Sequence, residues 1–296
     1  MKFGEKALFY NSVLLFSEKS LNKFTNSTIA IAGIGGIGSI ATEMLARNGI
    51  GSLTVSDIDP YEEKNLNRQL FATHETIGVN KAVAAKDRIK LINPDCKVKV
   101  YENGIRLDNV EEFCSGADII LVQTDTESTK IILHRTAKKF GIPAICGSRS
   151  SLIEHRWKLK ARVWDYKKNP NFPCYDETNH PEMVSIPTEK MTEEMLREFD
   201  EKIKLKKIKL FQDFAKSRPE IFGSISSPDL LDRLDNCKNF FNRHVCSVIA
   251  NTGGVLAATA ALKYLLTGEH TDLEINLWGN ADINKSDLAS PEEVFT

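Results

Sequence analysis

The apolar positions of this chain follow two periods that alternate over its first 150 residues. Short apolar runs bounded by turn residues read as strands at TIAIAG (28–33), SLTVSD (52–57), KVKVYE (97–102), ADIILVQ (117–123) and PAIC (143–146). Segments with helical spacing lie between them. One covers 37–49 and closes on Gly49, where a helix C-cap fits. Another, KAVAAKDRIKLI (81–92), must stop before Asn93-Pro94, because a proline ring bars the helical conformation of the residue ahead of it. A short helix near 108–114 and a longer one at 128–140 complete the series, and an N-terminal helix is predicted over 5–25 with Leu8, Leu15 and Leu21 on its apolar face. This alternation predicts an α/β fold, a mostly parallel sheet with helices on both faces.

After residue 150 the pattern changes. RWKLKARVWD alternates Trp157, Leu159, Ala161 and Val163 with basic residues, which predicts a half-exposed strand running antiparallel. Residues 165–190 are rich in Pro, Asn and Asp and read as loop. Residues 191–216 form an amphipathic pattern with Met195, Phe199, Ile203, Leu210 and Phe214 on or near one face, leaving Lys206, Lys207 and Lys209 on a solvated one. A further helical stretch lies around 228–242. The helix at 253–266 is apolar enough to be buried against the sheet or a second subunit, and DLEINLW supplies a last strand. The expected organisation is an α/β part with its N-terminal helix over 1–150, followed by a groove-forming part over 151–296. The second part carries a helical insertion at about 190–245, and the two make one continuous domain.

Composition narrows the picture. At 296 residues, with 42% hydrophobic and 27% charged residues, the chain can bury a full core and is ordinary for a soluble globular protein. A net charge of −1 gives no polyelectrolyte argument for nucleic acid, although a local basic patch stays open. No apolar run approaches the roughly 20 residues that span a bilayer, so no membrane role is expected. Polar residues break the N-terminal MKFGEKALFYNSVLLFSEK, which does not read as a signal peptide, and a cytoplasmic location is the expectation. The six cysteines are scattered, with no C-x-x-C pair and no disulfide framework.

The candidate chemistry begins at residues 29–69. Gly33, Gly35 and Gly38 have G-x-G-x-x-G spacing between a strand and a helix, and Gly36 lies among them. Such a turn lets backbone N–H groups approach phosphate oxygens at the positive end of a helix, and it makes the predicted sheet Rossmann-like. Asp57 ends the second strand 19 residues after Gly38, where an acid accepts ribose hydroxyls in nucleotide folds. Alone, this means only a nucleotide of some kind. A dinucleotide dehydrogenase has no reason to continue with Asn65-Leu66-Asn67-Arg68-Gln69.

The combination resembles the ThiF/MoeB/HesA family of adenylating enzymes, relatives of ubiquitin-activating enzymes. The matching residues are GIGGIG at 33–38, DID at 57–59, NLNRQ at 65–69, G-x-x-K at Gly78 to Lys81, INP at 92–94, the strand ending in TDT at Asp125, and GGVLAATAALKYLLTG at 253–268. The likeness covers the first half and the last fifth of the chain. It implies an ATP-dependent adenylyltransferase that turns a carboxylate into an acyl-AMP. A carboxylate is a poor electrophile because oxide would have to leave; attack of its oxygen on the α-phosphorus replaces that group with AMP and expels pyrophosphate. Charge then builds on phosphoryl oxygens and calls for cations and N–H donors. By this resemblance the glycine turn holds the nucleotide, Asp57 takes the ribose, and Asn65, Arg68 and Lys81 contact the triphosphate, with Gln69 beside them. Asp125 holds magnesium, with Asp59 a second candidate for the ion. Taken singly, each has a plainer explanation: Asp57 and Asp59 as strand-end turn residues, Arg68 and Lys81 as surface charges. Their joint occurrence at family positions is what assigns them.

Two departures stand out. Relatives carry an arginine pair near the start, in a pattern like R-Y-x-R-Q; here LFYNSV places Phe9 and Ser12 at those positions, leaving Lys6, Lys19 or, preferably, Arg149 after strand PAIC as stand-ins. Many relatives bind zinc with two C-x-x-C pairs. FPCYDE offers Cys174 with Glu177 at its partner's position, so no four-cysteine structural zinc is expected. If a thioester or persulfide step follows adenylation, Cys174 and Cys246 (with His244 nearby) are the candidates, each more plainly read as structural.

The simplest acceptor is the C-terminal glycine of a ubiquitin-like sulfur carrier. A peptide, a small-molecule carboxylate or a tRNA threonylcarbamoyl group, as in the TcdA branch, would also fit. The buried helix predicts a homodimer. Two other classes stay open: an NAD-dependent oxidoreductase, which leaves NLNRQ and Lys81 unexplained, and an inactive subunit of a heterodimeric activating enzyme.

Overall fold

A computed structural model describes residues 15–149, 158–217 and 247–276, together with Leu8 and Ser12. Strands β1 (Thr28–Ala32), β2 (Ser52–Ser56), β3 (Lys97–Tyr101), β4 (Ile119–Val122), β5 (Ala144–Arg149), β6 (Lys158–Trp164) and β7 (Leu273–Asn276) form one sheet in the order β3-β2-β1-β4-β5-β6-β7. The first five are parallel, β6 pairs antiparallel with β5 as predicted, and β7 pairs antiparallel with β6. The sheet is thus α/β, Rossmann-like and mixed at one edge.

Both faces are covered. Ile29 and Ile31 of β1, with Ile119 and Leu121 of β4, enter one core, while the alternate residues Ala30, Ala32, Ile120 and Val122 enter the other. Strands packed on both sides need apolar residues at every position, which is why these read as continuous runs. On the first face lie α1 (Glu18–Thr25), α2 (Gly36–Arg47), α3 (Lys81–Ile92) and α9 (Ser247–Thr267). The other face carries α4 (Val110–Cys114), α5 (Glu127–Phe140), the short α6 (Tyr175–Asn179) and α7 (Pro181–Val184), and α8 (Glu193–Ser217).

Four expectations are corrected. α1 does not run from residue 5: Ser17 is extended (ψ 157°) and its side chain accepts from Ser20 N–H, so it caps a helix that starts at Glu18. Residues 165–190 are not all loop, because α6 and α7 and a 3₁₀ turn at Thr188–Lys190 lie within them. α9 begins six residues earlier than predicted, and at 21 residues it is long and apolar enough by composition to cross a membrane. It serves instead as a core helix: Ala257, Ala258 and Ala261 are buried in the same core as β1 and α2. The stripe that buries α8 is Leu196, Phe199 and Ile203, whereas Leu210 and Phe214 have no described side chains. The helix predicted at 228–242, and Cys246 with His244, lie outside the described residues.

Candidate functional site

β1 lies between β2 and β4: the chain runs outward from β1 through β2 to β3, then crosses back to β4 on the other side of β1, and a crevice opens at the carboxyl ends of these strands. A cavity of about 1050 Å³ occupies it. Its floor is the glycine turn. Gly33 has φ +97°, and a Cβ there would lie 2.7 Å from the Gln123 carbonyl, so only glycine fits. Gly33, Gly35 and Gly36 line the cavity, and α2 starts at Gly36 with its first N–H groups toward the crevice. Gly38 is not among the lining residues. It instead lets α2 approach the turn, since a Cβ on it would fall 1.9 Å from Gly33 O.

Asp57 is held at the end of β2. Its Oδ2 accepts from Ile34 N–H at 2.7 Å and its Oδ1 from Asp59 N–H at 3.0 Å, while Asn80 Nδ2 donates to the Asp57 carbonyl at 3.0 Å. Burial pushes its carboxyl above the ordinary range, with Lys81 pulling the other way. Lys81 opens α3 and is itself buried; its Nζ is 2.9 Å from Asp59 Oδ2 and 4.0 Å from Asp57 Oδ1. Asp59 is therefore the partner of Lys81. Among the described residues no group of three or more His, Cys, Asp or Glu side chains is placed to hold a metal ion. Asp125, after β4, lines the cavity and offers a single carboxylate, which suits an ion taking most of its ligands from phosphate and water.

The NLNRQ segment starts at the last residue of a 3₁₀ turn, Glu63–Asn65. Asn65 does not reach the cavity: it is 3% exposed and its Oδ1 accepts from Glu62 N–H at 3.0 Å, closing a capping box. Arg68 lines the cavity, with Nη1 donating to Lys64 O at 2.7 Å and Asn67 Oδ1 at 2.9 Å. Gln69 lines it too, buried, with Oε1 lacking a hydrogen-bond partner. An unpartnered buried oxygen beside an open cavity fits a ligand that brings a donor. Arg149 ends β5 opposite Leu159, and its side chain lies outside the described residues. Lys19 is exposed on α1 and is not among the lining residues, while Lys6 and Phe9 are not described.

Sequence reasoning missed the far wall. Ser128, Thr129 and Lys130 of α5, with Asp200 and Lys207 of α8, line the same cavity. Glu127 behind them accepts from Lys130 at 3.0 Å, Lys207 at 2.8 Å and Tyr175 Oη at 2.7 Å. Lys207, about half exposed, is therefore also paired with a buried acid. Cys174, predicted within a loop, is at a helix end. It caps α6, is 4% exposed beneath Tyr166, and burial pushes its thiol up to about 12. Glu177 accepts from Cys174 N–H and pairs with Lys138, each at 2.8–2.9 Å.

A mostly parallel sheet with a glycine turn and a fixed acid at the next strand end defines a nucleotide-binding α/β protein. The ThiF family model matches residues 10–292, middle included, and the chain belongs to that family. It is 36% identical over 138 residues to a tRNA threonylcarbamoyladenosine dehydratase of Escherichia coli (strain K12), covering 46% of this chain and 52% of that one. It is 31% identical over 153 residues to the adenylyltransferase and sulfurtransferase MOCS3 of Drosophila grimshawi, covering 52% and 32%. The chain spans about half the length of the dehydratases it matches. In fold it is similar to the E. coli MccB structure with MccA-N7isoASN, with TM-score 0.62 at 16% identity over 95% of this chain and 72% of that one.

Proposed function

We propose that the chain is an ATP-dependent adenylyltransferase that activates a carboxylate as its acyl-AMP. The observation that carries this reading is the convergence of Gly33, Gly35, Gly36, Asp57, Arg68, Gln69, Lys81 and Asp125 on one cavity at the switch point of the sheet. Asp57 fixes the turn and stands where ribose hydroxyls would donate. The α2 N-terminus and Arg68 supply N–H donors for charge on the α-phosphoryl oxygens. Lys81 keeps Asp57 and Asp59 from repelling the nucleotide. Magnesium, held by Asp125 and the phosphates, would neutralise the departing pyrophosphate. An NAD-dependent reaction has no use for the Arg68–Lys81–Asp125 set. A thermal-shift comparison of ATP with magnesium against NAD separates the two, with stabilisation by ATP expected.

For the acceptor, similarity to both the dehydratases and MOCS3 supports a carboxylate carried on a macromolecule, either a ubiquitin-like carrier's terminal glycine or a tRNA-borne threonylcarbamoyl group; a small carboxylate is the remaining alternative. ATP–pyrophosphate exchange screened against carriers, modified tRNA, peptides and small acids tests this. Asp125→Ala is expected to abolish the exchange with the fold intact. Full exchange in that variant would remove Asp125 from the reaction, and no exchange with any acceptor would overturn the reading. We further propose a cytoplasmic homodimer, for which light scattering at a monomer mass is the refuting result.

A further inference from the structure

The cavity wall contains one charged cluster that nucleotide binding at the glycine turn does not use. Glu127, 7% exposed, takes Lys130 from its own helix, Tyr175 from α6, His180 Nε2 (3.2 Å) from the α6–α7 junction, and Lys207 from α8. Its neighbour Ser128 donates both N–H (2.9 Å) and hydroxyl to Asp200 of α8. α8 is therefore pinned to the first turn of α5, two residues beyond Asp125. Burial raises the Glu127 carboxyl, but Lys130, Lys207 and Tyr175 together outweigh it and hold it well below the ordinary range. It stays a carboxylate and keeps hold of both lysines.

One carboxylate shared by two ammonium groups leaves a net positive charge, and each lysine has three donors. Lys130 and Lys207 each give one hydrogen bond to Glu127, and both line the cavity. Lys207 is about half exposed there, so it can turn a donor inward while still held. Asp200 faces the same wall, and its two oxygens accept the Ser128 N–H and hydroxyl. Of the other cations lining the cavity, Lys81 is taken by Asp57 and Asp59, Arg68 Nη1 by Lys64 O and Asn67, and Arg106 by Asp108, while Arg197 joins Lys207 on α8. The strand order fixes direction. A nucleotide with its ribose at Asp57 on β2 and its phosphates over Gly33–Gly36 on β1 continues across β4 toward α5.

We propose that Lys207, carried in from the helical insertion and held by Glu127, is the cation that receives the outer phosphates of the bound nucleotide, with Glu127 as its positioning residue. This rests on reading the cavity as an ATP site. The test is calorimetric titration of the full chain with two probes: the magnesium complex of α,β-methylene-ATP, and AMP. Lys207→Ala is expected to weaken the triphosphate analogue about tenfold while AMP stays within about twofold, the loss of one charge-assisted contact. Lys207→Arg should recover most of that loss, and Glu127→Gln should reproduce part of it. An unchanged analogue affinity in Lys207→Ala overturns the inference, as does an equal loss for AMP, which would make the lysine a packing residue. If the alanine variant does not fold, unaltered analogue binding in Glu127→Gln overturns it instead. Failure of the unmodified protein to bind either probe defeats the ATP reading and this inference together.

Discussion

The Asp57 carboxylate accepts the Ile34 N–H at 2.7 Å across 23 residues of sequence, so the end of β2 fixes the shape of the glycine turn that follows β1. The same carboxylate caps Asp59 N–H. Ligand geometry and loop geometry thus depend on one side chain. Asp57→Ala should cost on the order of 1–3 kcal/mol of stability, the usual worth of hydrogen bonds to a charged group, and should abolish ATP binding. Asp57→Asn keeps one acceptor and should melt closer to the unmodified protein. Equal melting temperatures for the alanine variant and the parent would remove Asp57 from the turn.

The glycines of the turn are not equivalent. A Cβ on Gly38 would meet Gly33 O at 1.9 Å, backbone that cannot swing aside, whereas one on Gly35 meets nothing within 4 Å. Gly38→Ala is expected to lower stability by about 1–3 kcal/mol through overpacking, with Gly35→Ala much closer to the parent. Chemical denaturation of the two variants reads the difference, and a reversed order would contradict the packing account.

Legibility in the sequence followed the range over which each feature is determined. The strands β1 to β5 and helix α3 were readable because local burial and the Asn93-Pro94 stop fix them within a dozen residues. α6 and α7 were not, since helices of four or five residues complete too few turns to show a period, and Pro181 looks like a breaker although it suits a first helical turn. The predicted start of α9 fell at Gly253-Gly254, six residues inside the helix. In the fold Gly254 is where α9 crosses α2, a Cβ there falling 2.6 Å from Ile37 O and Ile40 Cβ. The nucleotide side of the site was legible as a motif, but Asn65 was not, because its backbone cap at Glu62 replaces an outward contact. The Lys207 pairing spans 80 residues, and nothing in the helical period of α8 points to Glu127.

Cys174 should be chemically quiet. Its thiol is buried at the α6 cap and pushed up to about 12 by burial, and Cys96 is pushed up to about 11 by the same cause. Alkylation by iodoacetamide at neutral pH, read site by site by mass spectrometry, is expected to be at least about tenfold slower at both cysteines in the folded protein than in urea. Rapid modification of Cys174 in the folded state would reopen it as a nucleophile.

Glu127 makes stability depend on acid in a definite direction. Its folded carboxyl titrates below the ordinary 4.5, so the stabilisation it contributes is complete above that pH and is lost as pH falls from there through the folded value. The loss comes from protonating an acid whose charge holds Lys130 and Lys207 and whose oxygens also meet Tyr175 and His180. Glu127→Gln removes that proton uptake. Near pH 7 the variant should be less stable than the parent, since two lysines lose their shared carboxylate in a buried site. As pH drops below 4.5 the two melting curves should converge, because the parent gives up what the variant already lacks. Glu43, held low by Arg88 and Arg47 against its own burial, adds acid dependence to both proteins and cancels in the comparison. A gap between the two proteins that stays constant from pH 7 to pH 3 would show that Glu127 contributes by shape alone, and that Lys207 reaches the cavity without being held by its charge.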